Sequence, residues 1–171
     1  MDKKYLIYIN GDSLVGETYK KIVEYLFTGS DVFTYTKMDT EKCIDEDDIK
    51  YAENVRKFEN IIKGLSVKKI RTCNYGFTCG GENEIYAVSL KNEALKSFIK
   101  NKKDISKWSY PNCVENIGFY KNNKCVFASV SHEDMYHLYV DSAEDVAYLE
   151  KIGVDFFDKA EVNENSLFNL E

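Results

Sequence analysis

The chain has 171 residues, 44% apolar and 14% aromatic, with 23 basic against 29 acidic residues for a net charge of −6. That length and apolar share fit one folded domain with a real core and exclude general disorder. The negative balance repels phosphate backbones, so nucleic acid would need a local basic patch. The two short runs, Lys68-Lys69-Ile70-Arg71 and Lys100-Asn101-Lys102-Lys103, read instead as solvated faces.

No stretch approaches the ~20 apolar residues of a membrane span. The first apolar run, Tyr5 to Ile9, is too short for a signal-peptide core. These features predict a cytoplasmic protein with neither a membrane nor a nucleic-acid partner. The five cysteines (Cys43, Cys73, Cys79, Cys113 and Cys125) are odd in number and read as reduced thiols.

Tyr5–Ile9 predicts a first strand, apolar enough to be covered on both faces. After Asn10-Gly11-Asp12-Ser13, a helix is expected from Leu14 to Phe27, capped by Asp12 or Ser13. Val32–Thr36 has strand composition. The acidic stretch Asp45-Glu46-Asp47-Asp48 then opens a helix running to Leu65, with Ile49, Ala52, Val55, Phe58 and Ile62 as its apolar stripe. Strands near Val67–Cys73 and Glu84–Leu90 are joined across Cys79-Gly80-Gly81. A helix over Asn92–Asn101 and a short turn before Trp108 follow.

Phe119-Tyr120-Lys121 and Lys124-Cys125-Val126-Phe127 flank Asn122-Asn123, a pair that tolerates the positive φ of a two-residue hairpin. Alternation puts Val126, Ala128, Val130 and His132 on the inward face, with Cys125, Phe127 and Ser129 opposite. Tyr136–Val140 resumes strand character. Asp141-Ser142-Ala143-Glu144 starts a last helix that Gly153 stops. The predicted fold class is α+β: an antiparallel or mixed sheet with helices packed on it, and a C-terminal β-hairpin followed by a helix. Residues 1–157 form a single domain and 158–171 a loosely held tail.

Three constellations bear on chemistry. Gly11-Asp12-Ser13-Leu14, after a strand and opening a helix, resembles the first block of the GDSL-type ester hydrolases. Gly81-Glu82-Asn83-Glu84 and Asp134-Met135-Tyr136-His137 resemble that family's later blocks, in the right order. The resemblance implies Ser13 as nucleophile, with its backbone N–H at the oxyanion, Asn83 as a further site residue and His137 held by Asp134 as base. The chain departs from that family at Glu84, in the missing glycine of the second block, and in the strand-like run after His137.

For metal, the spacing of His132 and His137 does not place two imidazoles on one face, and the cysteines lack paired knuckles. No metal and no cofactor are expected.

The third is Trp108-Ser-Tyr-Pro111, Glu115, Phe119-Tyr120, Asn122-Asn123, Phe127 and Ser131-His132-Glu133. It resembles a pattern in small bacterial proteins of uncharacterised function, over roughly half the chain, departing at Asn123 (usually glycine) and Phe127 (usually tryptophan). That family implies no catalytic residues. His132, at a strand corner beside Glu133, is expected to be a hydrogen-bonded structural residue rather than a base.

With 13 tyrosines, an acidic surface and no complete catalytic set, the chain reads as a protein-binding module. An immunity-type role, neutralising a basic partner toxin, is the specific form expected. Its candidate contact residues are Asp45, Asp47, Asp48, Trp108, Tyr110, His132 and Glu133. The alternative is the serine ester hydrolase built on Ser13, Asn83, Asp134 and His137.

Overall fold

A computed structural model describes residues 4–39, 41, 44–72, 83–162 and 170, with the side chains of Thr72 and Asn83 outside that set. Among the described residues eight strands form one sheet: β1 (Lys4–Ile9), β2 (Val32–Thr36), β3 (Val67–Thr72), β4 (Asn83–Ser89), β5 (Glu115–Lys121), β6 (Lys124–Val130), β7 (Met135–Val140) and β8 (Phe156–Val162). Their order is β3-β4-β2-β5-β6-β7-β1-β8, and every pairing is antiparallel. Helices α1 (Gly16–Gly29), α2 (Glu46–Ile61), α3 (Glu93–Asn101) and α4 (Ala143–Lys151) fill the connections. The protein is thus α+β, with an antiparallel sheet and helices packed on it.

The helices share one face of the sheet. Tyr19, Ile22, Val23 and Leu26 of α1 recur at helical spacing, as do Tyr51, Val55 and Phe58 of α2, and all are buried. They pack with Ile7, Phe33, Phe119, Phe127 and Leu138 from the strands. Trp108 lies at the centre of this layer, fully buried, and donates from Nε1 to the Tyr19 hydroxyl at 2.9 Å. Tyr19 donates in turn to the Ile99 carbonyl at 2.8 Å, so both polar tips are satisfied inside the core. The other face carries a smaller apolar cluster of Leu6, Ile70, Ile85, Ala87, Tyr120, Cys125, Ala128, Tyr139 and Leu170. Leu6 and Ile7 are buried on opposite faces, so β1 is covered on both sides as its composition predicts. Among the described residues no helix is long and apolar enough to cross a membrane.

Local signals account for most of these elements. Asn122 and Asn123 take φ of 50° and 65° between β5 and β6, the backbone a two-residue hairpin requires. Asp45, Asn92 and Ser142 cap α2, α3 and α4 through side-chain oxygens.

Several expectations are corrected. The tail expected from 158 is not loose throughout: residues 158–162 belong to β8, which pairs with β1 from Ile9↔Phe156 to Lys4↔Val162. A strand therefore follows the last helix. Neither Asp12 nor Ser13 caps α1, which starts at Gly16 behind Val15; the capped element is a 3-10 turn, Gly11–Ser13, held by Asn10. Ile49 is 53% exposed, and Tyr51 supplies the first buried position of α2.

The alternation along β6 also breaks. Phe119 pairs with Phe127 but Tyr120 pairs with Cys125, so Val126 is the extra residue of a bulge. Cys125 and Ala128 therefore share a face, and Val126 joins the helix side. His132 does not follow the inward parity, because the strand ends at Val130 and residues 131–133 form a 3-10 turn. Its side chain is 60% exposed, with Nε2 3.6 Å from Glu133 Oε1.

Candidate functional site

Where β1 leaves the sheet, the Asn10 side chain accepts from the Asp12 amide at 3.2 Å and winds Gly11–Ser13 into its 3-10 turn. Asn10 N donates to the Asp155 carbonyl at 2.9 Å, so this turn is fastened to the segment that leads from α4 into β8. Gly11 lies on the ring of Tyr136: a Cβ there would stand 2.4 Å from Tyr136 Cε2. Only glycine allows that approach.

These constraints hold open a cavity of about 340 Å³. Three carboxylates among the described residues line it: Asp12 after β1, Asp104 before the 3-10 turn Ile105–Lys107, and Asp134 before β7. An isolated bridge between Val15 and Asp104 brings the first two turns together. Asp104 Oδ1 accepts from Ser106 N at 2.9 Å, and its Oδ2 stands 3.8 Å from Lys107 Nζ. Asp134 takes the left-handed conformation (φ 52°, ψ 32°), and its Oδ1 accepts from the Tyr136 hydroxyl at 3.4 Å. Burial, followed by the charges of Asp134, Asp104 and Asp12, pushes the Tyr136 phenol well above its ordinary range, so it stays a neutral donor. Phe157, also lining the cavity, is 75% exposed. It is the extra residue where the β1–β8 register shifts, between Tyr8↔Asp158 and Ile9↔Phe156. Among the described lining residues none is lysine or arginine. No group of three His, Cys, Asp or Glu side chains among the described residues is placed to hold a metal ion.

The hydrolase residues are dispersed. Ser13 Oγ donates to the Asn10 carbonyl at 2.7 Å and accepts from Asp155 N at 3.0 Å; the hydroxyl locks two loops together. His137 is 1% exposed within β7, opposite Tyr8 and Ala128. Its ring meets Tyr8 edge-on at 4.8 Å, and burial lowers its pKa to about 4. Asp134 turns to Tyr136, whose ring lies on the helix side of the sheet, whereas His137 is on the other. The Asn83 side chain lies outside the described residues; its backbone opens β4, beside the far edge strand β3. Of these motifs the structure gathers Gly11, Asp12 and Asp134, without the serine or the histidine.

The expected binding residues divide in a similar way. Trp108 is fully buried and so is no part of a contact surface. The Asp45 side chain accepts from Asp48 N at 2.9 Å. Asp48 Oδ2 accepts from Ile44 N at 2.8 Å and its Oδ1 from the Tyr110 hydroxyl at 3.1 Å. The Ile44 amide, first among these partners, lowers the Asp48 pKa. Burial and the Asp48 hydrogen bond push the half-buried Tyr110 up to about 12. Asp45 and Asp48 thus organise the start of α2, while Asp47 is exposed beside them. His132 and Glu133 form an exposed pair at the β6–β7 corner.

Cys113 and Cys125 are buried free thiols, and burial pushes Cys125 up to about 12. Cys43, Cys73 and Cys79 lie outside the described residues.

Sequence reasoning missed Asp104, Tyr136 and Phe157 as site residues. Asp104-Ile105-Ser106 is a local turn signal, but nothing in one sequence places it beside Asp12 and Asp134.

The fold and this site define an antiparallel α+β protein with an acid-lined cavity at one end of its sheet. No protein-family model matches the chain, and no curated protein or solved structure matches it.

Proposed function

We propose that this is a protein-binding module that receives a basic side chain of its partner in the cavity between Asp12, Asp104 and Asp134. The observation that carries this reading is the convergence of three carboxylates, from three separate turns, on one concave site. A guanidinium or ammonium entering there would meet carboxylate oxygens, and the exposed Phe157 ring offers an apolar anchor beside it. The net charge of −6 steers a basic partner toward the protein. Neutralisation of a basic toxin in a bacterial cytoplasm, as immunity proteins perform it, is the specific role this chemistry suits. The exposed acids at the start of α2, Asp47 among them, would then contribute to steering rather than to the contact itself.

Calorimetric titration with a tetra-arginine peptide, against a tetra-citrulline control, tests the site. Saturable binding is expected for the arginine peptide, weakening with salt and falling about tenfold in an Asp12→Asn/Asp134→Asn variant. Equal affinity for both peptides, or an unchanged affinity in the double variant, overturns the assignment.

A further inference from the structure

The opposite end of the sheet carries a second concavity, of about 320 Å³, on the face away from the helices. Its apolar surface comes from Val32 of β2, Ile70 of β3, Ala87 of β4 and Leu170. Leu170 is held there from both sides of its chemistry: its amide donates to the Asn123 carbonyl at 2.8 Å, and its side chain is 8% exposed within the Ile70–Ala87 cluster. Two exposed lysines, Lys68 of β3 and Lys91 just past β4, line the same space.

Of the described lysines some are held by carboxylates and others, Lys21, Lys50, Lys63 and Lys151 among them, are not. Lys4, Lys37, Lys69, Lys96 and Lys100 each stand against a carboxylate. Among the described residues Lys68 and Lys91 have no such partner, although Lys69 beside Lys68 in β3 pairs with Glu84. Among the described lining residues one carboxylate, Asp31, accepts from the Asn122 amide at 3.3 Å, and the two lysines leave that lining net positive. An apolar surface flanked by two lysines and one carboxylate, net positive, matches a ligand with an anionic head and a hydrocarbon body. A small inorganic anion would leave the Val32–Ile70–Ala87–Leu170 surface wet, and a neutral hydrocarbon would leave the lysines unused. The volume lies at the low end for ligand pockets, which suits a chain of medium length.

We propose that this cavity binds an aliphatic carboxylate, with the head between Lys68 and Lys91 and the chain lying on Ile70, Ala87 and Leu170. The site is separate from the acid-lined cavity and stands or falls independently of it.

Titration of the full, isotope-labelled chain with sodium decanoate, followed by amide NMR, tests it. Acetate and decanol serve as head-only and tail-only controls. Saturable one-site binding is expected, with shifts centred on Ile70, Ala87 and Leu170. In a Lys68→Gln/Lys91→Gln variant, whose replaced side chains are exposed, the affinity should fall about tenfold. The Asp12→Asn/Asp134→Asn variant should bind decanoate like the parent. Failure to saturate, shifts scattered over the surface, or an affinity unchanged by the lysine substitutions overturns the proposal.

Discussion

Asn116 and Ser131 satisfy each other's backbones across the β5–β6 pair. Ser131 N donates to Asn116 Oδ1 at 2.9 Å, and Asn116 N donates to Ser131 Oγ at 3.0 Å. Asn116 does this from φ 46°, a conformation asparagine tolerates better than most residues. Replacing Ser131 by Ala leaves a half-buried amide without its acceptor and should cost about 1 kcal/mol. Asn116→Ala removes the reciprocal bond and adds backbone strain, for about 2 kcal/mol. Asn116→Gly, which relieves the strain alone, should fall between them. Urea midpoints of the three variants give the ranking, and equal costs for Asn116→Ala and Asn116→Gly would remove strain from the account.

Trp108→Phe keeps much of the aromatic packing against Phe33, Phe58 and Phe98 but deletes the Nε1 donor to Tyr19. A loss of about 1–3 kcal/mol is expected, with the fold retained. Trp108→Ala adds a cavity and should cost more than about 3 kcal/mol. Since Trp108 is the chain's single tryptophan, denaturation of the variants is best followed by far-ultraviolet circular dichroism.

His137 makes stability pH-dependent. In the unfolded chain its pKa is the ordinary 6.5, whereas burial in the sheet lowers it to about 4. Between those values the unfolded state binds more protons, so this group's contribution is present above pH 6.5 and is lost as the pH falls toward 4. The full loss is up to about 3 kcal/mol. Carboxylates held below their ordinary range, such as Asp48 and Glu84, weaken the fold in acid as well. The comparison that isolates the imidazole is therefore with His137→Phe: the denaturant midpoint of the variant should fall less between pH 7 and pH 4.5. Parallel pH profiles would show that His137 contributes nothing to the slope.

At the hairpin turn, Asn123 holds φ 65° and its carbonyl accepts from Leu170 N. Asn123→Gly keeps that carbonyl and removes the left-handed strain, so the thermal midpoint should rise by the equivalent of about 0.5–1 kcal/mol. A lower midpoint would mean that the asparagine side chain stabilises the turn more than its backbone conformation costs.

Features determined within a few residues were legible in the sequence. Asn122-Asn123 set the hairpin, and Asp45, Asn92 and Ser142 set three helix starts, because turn and cap chemistry is local. Ser131-His132-Glu133 was recognisable as a corner, but Ser131 holds it, through an asparagine on the neighbouring strand that no local pattern reveals. The bulge at Val126 displaced the expected alternation, since one inserted residue inverts the parity of everything before it. β8 was missed because a polar edge strand such as Phe156–Val162 carries little hydrophobic signal. Asp12 and Asp134 were singled out by a hydrolase pattern, yet their convergence with Asp104 depends on the order of strands in the sheet. Spacing along the chain does not encode that order.

The place of β1 between β7 and β8 has a bearing on biogenesis. β1 finds its two sheet neighbours only in β7 and β8, which are made after every other described strand. Until those emerge, the nascent β1 carries Leu6, Ile7 and Ile9 without either partner, and its half of the sheet cannot close. Closure of this part of the sheet is thereby deferred until β7 and β8 are made, with distant pairings that form slowly. A growing polypeptide with β1 unpaired exposes apolar surface of the kind that chaperones cover.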